Sequence, residues 1–167
     1  PPVQHGLGKL KLALRQRGVV VEEAASLEKA TAGTVVVAGL SSGAGAGARL
    51  ITELQLTPPK DAESLLIRKL NRGGKALVLV TGSDARGLMY ALLDVADRVG
   101  WAKSAGQPFS EVRDTEEKPY APERALSLYT FNRAYWESRF YDEAYWARYL
   151  DVLAQNRFNS LVVIFGY

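Results

Sequence analysis

The residues of this chain best suited to ligand chemistry lie in one short aromatic segment near its carboxyl end. Residues 129–136 read YTFNRAYW, so Tyr129, Tyr135 and Trp136 supply rings and Asn132 supplies an amide. Aromatic rings pack against the apolar face of a sugar, and amide groups exchange hydrogen bonds with its hydroxyls. We interpret these four residues as candidate sugar-binding residues. The alternative is that the rings pack within the fold or at a domain interface.

Cleavage of a glycosidic bond needs two carboxyl groups, one to protonate the leaving oxygen and one to act as base or nucleophile. The nearby carboxyl groups are better suited to structural roles. Asp142 is placed to cap a helix, and Glu143 in the first turn of that helix favours its dipole. Glu137 lies in an aromatic-rich loop that we expect over residues 130–141, and Glu123 precedes a strand-like run. We assign no catalytic residue in this chain.

The elements around the aromatic segment predict a strand, a helix and a second strand. Residues 124–129 read as a strand, Asp142 begins a helix that runs to about Asn156, and residues 161–165 (LVVIF) are fully apolar. An apolar strand after a crossover helix is typical of a buried parallel sheet. Two strands and one helix cannot cover their own faces. We therefore expect residues 119–167 to be the first β–α–β unit of a truncated (β/α)8 barrel, which packs against the remainder of its own barrel domain.

Residues 1–118 predict a separate small α+β domain with a mixed sheet. Its clearest signals are a hairpin with an Asn-Arg-Gly-Gly turn and a long amphipathic helix that Ser83 or Asp84 caps. Proline-containing residues 102–123 indicate a polar linker to the barrel segment. The remaining expected elements are a helix over 7–17, a short strand over 19–21, a central strand over 34–38, a helix over 49–54 and hairpin strands over 63–70 and 75–81.

Composition excludes several classes of function. The net charge of the 167 residues is +3 without a basic run, so we expect no nucleic-acid partner. No apolar stretch is long enough for a membrane span, so we expect no membrane partner. Cysteine is absent and His5 is the single histidine, so we expect neither a disulfide framework nor a metal site, and no cofactor.

A glycine-rich loop supplies one competing hypothesis. Residues 43–48 (GAGAGA) follow an apolar strand and fit the outline G-x-G-x-x-A of a dinucleotide-binding turn. That turn normally opens a long helix, and its acidic partner ends the next strand. Here the expected helix is short, and Glu63 begins the next strand-like run. We therefore favour a flexible loop over a nucleotide site.

Three stretches resemble the β-N-acetylhexosaminidases and α-glucuronidases, which carry a small α+β domain before a (β/α)8 barrel. The first is the run GSDARGLMYALL of residues 82–93, the second is PERAL of residues 122–126, and the third is YLDVLAQNRFN of residues 149–159. The resemblance implies that Arg124 opens the first barrel strand and holds hydroxyls of a terminal sugar. It also implies that the catalytic carboxylates come from later strands, outside this chain.

The resemblance leads to an expected function and an expected site. We expect the chain to be the front part of a bacterial glycoside hydrolase that degrades oligo- or polysaccharides. A non-catalytic carbohydrate-binding or structural module is the alternative. The expected substrate-binding residues are Arg124, Tyr129, Asn132, Trp136 and Tyr167. The chain begins Pro1-Pro2 without methionine, which we interpret as processing or trimming that leaves no export signal visible. We expect a secreted or periplasmic protein.

Overall fold

The computed structural model describes residues 2–165, and the chain divides into two compact units, Pro1–Pro119 and Tyr120–Tyr167. The elements of the first unit are α1 (Pro2–Gln16), β1 (Thr34–Leu40), α2 (Ala46–Glu53), β2 (Leu65–Arg72), β3 (Lys75–Gly82), α3 (Ala85–Trp101) and β4 (Thr115–Glu117). Those of the second unit are β5 (Ala125–Tyr129), α4 (Arg133–Trp136), α5 (Glu143–Gln155) and β6 (Ser160–Ile164).

The first unit is an α+β fold built on a mixed four-stranded sheet in the order β1-β3-β2-β4. Strand β3 pairs parallel with β1 and antiparallel with β2. The predicted hairpin is confirmed, and its turn is formed by Gly73 and Gly74 with φ angles of 58° and 77°. Positive φ at both turn positions matches the right-handed twist of the strands, which explains why glycine occupies them.

Helices pack on both faces of this sheet. On one face, Leu50 and Ile51 of α2 join Val37, Leu77 and Leu79 in a buried cluster. Because side chains alternate along a strand, the intervening residues of β3 point to the other face, where α3 contacts the sheet and α1 contacts α3. The predicted capping of α3 is confirmed, since the Asp84 carboxylate accepts from the backbone N–H groups of Arg86 and Gly87.

Two expectations for the amino-terminal half are wrong. Residues 19–21 form no strand, because Val20 is 84% exposed and the segment follows the end of α1 as irregular chain. Strand β1 lies at the edge of the sheet and not at its centre. Its residues are apolar because helices cover both faces of the sheet. In such a sheet an edge strand is covered in the same way as a central strand.

The expected linker also contains structure that the sequence did not indicate. Residues Thr115–Glu117 form β4, which pairs antiparallel with β2. The Arg68 guanidinium donates to the Glu116 carboxylate at 3.0 Å, and the backbone N–H of Lys69 donates to the Asp114 carboxylate at 2.8 Å. Short strands of polar residues are common at sheet edges, where one side of the backbone meets water. The first unit therefore extends through most of the segment interpreted as a linker.

The second unit contains the predicted strand, helix and strand. Strands β5 and β6 pair parallel, in a register that runs from Ala125 opposite Ser160 to Tyr129 opposite Ile164. Helix α5 connects them, and its predicted cap is confirmed because the Asp142 carboxylate accepts from the backbone N–H of Tyr145 at 3.0 Å. No helix among residues 2–165 is long and apolar enough to cross a membrane.

A pH-dependent stability is expected from α3. Burial and, secondarily, the Asp94 carboxylate raise the pKa of Asp97, because both disfavour its charged form. A carboxyl group whose pKa is higher in the folded than in the unfolded protein does not change the free energy of unfolding at a pH below its unfolded pKa. Above its folded pKa, the group lowers the free energy of unfolding by the full amount. We expect Asp97→Asn to raise the free energy of unfolding at pH 7 by less than about 1 kcal/mol. Urea unfolding at about pH 3, below the unfolded pKa, should show no gain.

The control for this prediction is Asp94→Asn in the same assay. Asp94 forms an ion pair with Arg98 at 2.6 Å, so its neutralisation should lower stability at pH 7. Equal effects of the two substitutions on the free energy of unfolding at pH 7 would contradict the raised pKa of Asp97.

Candidate functional site

The candidate site is the carboxyl edge of the β5–β6 pair, where the chain leaves β5. Thr130 directly follows β5 and is 8% exposed. Its backbone N–H donates to the Ile164 carbonyl at 2.9 Å, and its hydroxyl donates to the same oxygen at 3.2 Å. Thr130 therefore ties the end of β5 to the end of β6 and fixes the direction in which its two neighbours project.

Those neighbours are an exposed aromatic pair, Tyr129 and Phe131. Alternation along an extended chain directs both rings away from the side on which Thr130 is buried. Tyr129 is 56% and Phe131 62% exposed, and their ring centroids lie 5.7 Å apart at an interplanar angle of 47°. Phe131 was absent from the sequence-based site. Its spacing of two residues from Tyr129 is the signal that could have identified it.

Trp136 lies inside the unit and supports this edge from within. It is 7% exposed and stacks on Trp146 with ring centroids 6.1 Å apart. Its indole N–H donates to the Tyr129 carbonyl at 3.1 Å. Both the ring faces and the donor of Trp136 are thus engaged within the protein, which is the packing alternative that the sequence left open for this residue.

Asn132 directly precedes the short helical turn α4 and Tyr135 lies within it, in the segment expected to be a loop. The Asn132 side-chain oxygen caps α4 by accepting from the backbone N–H of Tyr135 at 3.1 Å. Tyr135 is 49% exposed, and the Arg139 guanidinium carbon lies 4.2 Å from the centroid of its ring. A cation over one ring face reduces the area of Tyr135 that a ligand can use.

Aromatic side chains of α4 and α5 pack together in a cluster. Tyr145 meets Trp136 edge to face and stacks on Tyr149. Burial raises the pKa of Tyr149, and the neighbouring phenols of Tyr145 and Tyr135 raise it further. The Tyr149 hydroxyl therefore stays protonated throughout the ordinary pH range.

Arg124 lies at the opposite, amino end of β5. Its side chain donates to the backbone carbonyls of Arg157 at 2.7 Å and Ala121 at 2.8 Å. Its backbone N–H donates to the Asn159 side chain at 2.9 Å. The structure therefore brings Tyr129, Asn132 and Trp136 together and does not bring Arg124 to them. Tyr167 lies outside the described residues.

Arg124→Ala is expected to lower the free energy of unfolding of the second unit by about 2 kcal/mol, because two charge-assisted hydrogen bonds to backbone carbonyls are lost. Thermal unfolding followed by circular dichroism measures this effect. Arg124→Lys keeps the charge but cannot reproduce both donors, so it should restore stability only in part. Unchanged stability with loss of sugar affinity would instead favour the hydroxyl-holding role that the resemblance implies.

The carboxylates near the site are engaged elsewhere. Asp142 caps α5, Glu143 lies in its first turn, and Glu137 lies 3.5 Å from the exposed Arg133 guanidinium. Within residues 2–165, no group of three or more His, Asp or Glu side chains is arranged to hold a metal ion. The described edge presents exposed aromatic rings, and acid–base chemistry on a ligand there would need carboxylates from other residues.

The glycine-rich loop is explained by packing. Helix α2 begins at Ala46, inside the stretch expected to be a loop. A Cβ atom on Gly47 would lie 3.0 Å from the Leu40 carbonyl oxygen and 3.1 Å from the carbonyl carbon of Gly39. The glycine thus allows α2 to approach β1 closely, and this role requires no nucleotide.

Comparison with known proteins shows a similarity to a solved structure. No protein-family model matches the chain, and no curated protein matches it. Among solved structures, the fold is similar to part of a GH138 enzyme that targets the pectin rhamnogalacturonan II. The TM-score is 0.64 at 19% sequence identity, over 97% of this chain and 22% of that enzyme. This similarity concerns the fold, and the chain spans about a fifth of the enzyme's length.

Proposed function

We propose that this chain is part of a glycoside hydrolase. Its first unit is a non-catalytic α+β domain, and its second unit is the opening β–α–β segment of a (β/α)8 barrel. The observation that carries the proposal is the parallel β5–β6 pair with exposed aromatic residues at its carboxyl edge. In (β/α)8 barrels the active site lies at this end of the strands.

The similarity to the GH138 enzyme supports this proposal, because it covers both units of the chain within a carbohydrate-cleaving enzyme. The sequence resemblance to the β-N-acetylhexosaminidases and α-glucuronidases points to the same class of reaction. A carbohydrate is then the substrate, and the catalytic carboxylates lie outside the 167 residues. We further propose that the parent protein is secreted or periplasmic.

The test is hydrolysis by the parent protein. The purified parent is incubated with a panel of aryl glycosides and with polysaccharides that include rhamnogalacturonan II, and release of aryl alcohol or reducing sugar is measured. We expect turnover of at least one substrate, and no turnover by residues 1–167 alone. Binding without turnover by the parent would favour the alternative of a non-catalytic carbohydrate-binding module. Turnover by residues 1–167 alone would contradict the assignment of the carboxylates to other residues.

A further inference from the structure

We infer that Tyr129 and Phe131 form a platform for a single sugar ring, and that Trp136 positions this platform without contacting the sugar. The inference rests on the proposed carbohydrate substrate and names the side chains that would hold it. The name platform is used below for the rings of Tyr129 and Phe131 together.

The geometry of the platform suits one ring and not a flat stack of several. The centroids of Tyr129 and Phe131 are 5.7 Å apart, and the rings are inclined at 47°. At this separation the two rings together span about the width of one pyranose, so C–H groups on one sugar face can contact both. Each ring is more than half exposed, so this contact requires no rearrangement of the second unit.

A polar group of the platform itself matches the hydroxyls of the same ligand. Among residues 2–165, no group of the protein forms a hydrogen bond with the Tyr129 phenol. An exposed apolar surface that carries an uncharged hydroxyl favours a carbohydrate, since it offers both dispersion contacts and hydrogen bonds.

Trp136 and Thr130 determine where the platform lies. The Trp136 indole holds the Tyr129 carbonyl at 3.1 Å, and Thr130 holds the Ile164 carbonyl through two hydrogen bonds. The backbone on either side of the Tyr129–Thr130 peptide is thereby fixed from inside the unit. Trp136 is accordingly a positioning residue, and its substitution should act through the placement of Tyr129.

The experiment measures sugar affinity of the parent protein and of matched variants. The probes are a panel of methyl glycosides and oligosaccharides released from rhamnogalacturonan II, titrated by isothermal calorimetry. We expect Phe131→Ala and Tyr129→Phe each to weaken binding about three- to tenfold, because one removes a ring and the other a hydroxyl. Tyr141→Ala is the matched control, since Tyr141 is 88% exposed and lies outside the platform.

Each outcome decides between the two proposals. Weakened binding in Phe131→Ala with an unchanged Tyr141→Ala supports the platform, whether or not the parent turns over the sugar. Hydrolysis with equal affinity in wild type and Phe131→Ala overturns the platform and leaves the glycoside hydrolase intact. Absence of binding of every probe by the parent protein also overturns the platform.

Trp136→Phe separates positioning from contact. This variant keeps a ring in the interior but loses the indole donor. If Trp136 positions Tyr129, Trp136→Phe should weaken binding, and combining it with Tyr129→Phe should give less than the product of the two separate effects. If the loss of affinity in the double variant equals the product of the two separate losses, Trp136 acts independently of Tyr129, which would contradict the positioning role.

Discussion

Gly82→Ala is expected to lower the free energy of unfolding of the first unit by about 3 kcal/mol or more. A Cβ atom on Gly82 would lie 2.0 Å from the backbone nitrogen of Leu88 and 2.4 Å from the backbone carbonyl carbon of Gly87. These are main-chain atoms in the first turn of α3, which cannot move aside as the end of a flexible side chain can. Relief requires α3 to separate from the end of β3, which disrupts the core that both elements share.

Urea denaturation followed by far-ultraviolet circular dichroism measures this prediction. Gly100→Ala in the same helix is the control, because a Cβ atom there meets nothing within 4 Å. It should stabilise α3 by up to about 1 kcal/mol through alanine's better helix propensity. Gly87→Ala should behave like Gly82→Ala, since its Cβ would lie 2.3 Å from the Ser64 carbonyl oxygen. A Gly82→Ala protein with the wild-type midpoint would refute the close contact of β3 with α3.

Trp136→Ala is expected to cost the second unit about 3–5 kcal/mol. The substitution removes a 7% exposed ring that contacts Trp146 and Tyr145, and it also leaves the Tyr129 carbonyl without its indole donor. A unit of this size has little stability to lose, so we expect it to unfold at least in part at 25 °C. Thermal unfolding monitored in the near ultraviolet reports the loss.

Trp101→Ala provides the matched control for Trp136→Ala. Trp101 ends α3 in the first unit and is 65% exposed, so its removal should change stability by about 0.5 kcal/mol or less. The near-ultraviolet signal of the parallel indole pair, with planes 11° apart, should persist in Trp101→Ala and vanish in Trp136→Ala. If both substitutions lowered the unfolding temperature equally, the interior position assigned to Trp136 would be wrong.

The elements that the sequence predicted well are those in which one local signal determines the structure. Paired glycines at residues 73 and 74 determine the hairpin turn, and Asp84 and Asp142 begin α3 and α5. The apolar run of β6 predicted its parallel partner correctly. In each case the necessary chemistry lies within a few consecutive residues, so tertiary packing had little to add.

The errors occur where distant residues decide. The edge position of β1 depends on which strands pair with β3. When helices cover both faces of a sheet, the apolar pattern of a strand does not indicate its partners. Strand β4 is held by hydrogen bonds from Arg68 to Glu116 and from Lys69 to Asp114, which are 45 or more residues apart in the sequence.

The candidate site shows the same limitation at the scale of single side chains. Composition identified the aromatic segment as suited to sugars, but it could not rank the rings by exposure. Trp136 was included with the other aromatic residues of the segment, and the structure places its side chain in the interior. Phe131 was not among the named residues, although it is the more exposed member of the platform. Arg124 entered through the resemblance, and its hydrogen bonds place it at the other end of β5.

The central claim is that residues 120–167 open a (β/α)8 barrel, and a crystal structure of the parent protein tests it most directly. Within residues 2–165, β5 and β6 each have a single strand neighbour. We predict that in the parent the second edge of each strand is paired parallel with a further strand, and that the platform faces the mouth of the closed barrel. An antiparallel neighbour on β6, or a β5–β6 pair with both outer edges in solvent, would contradict the account.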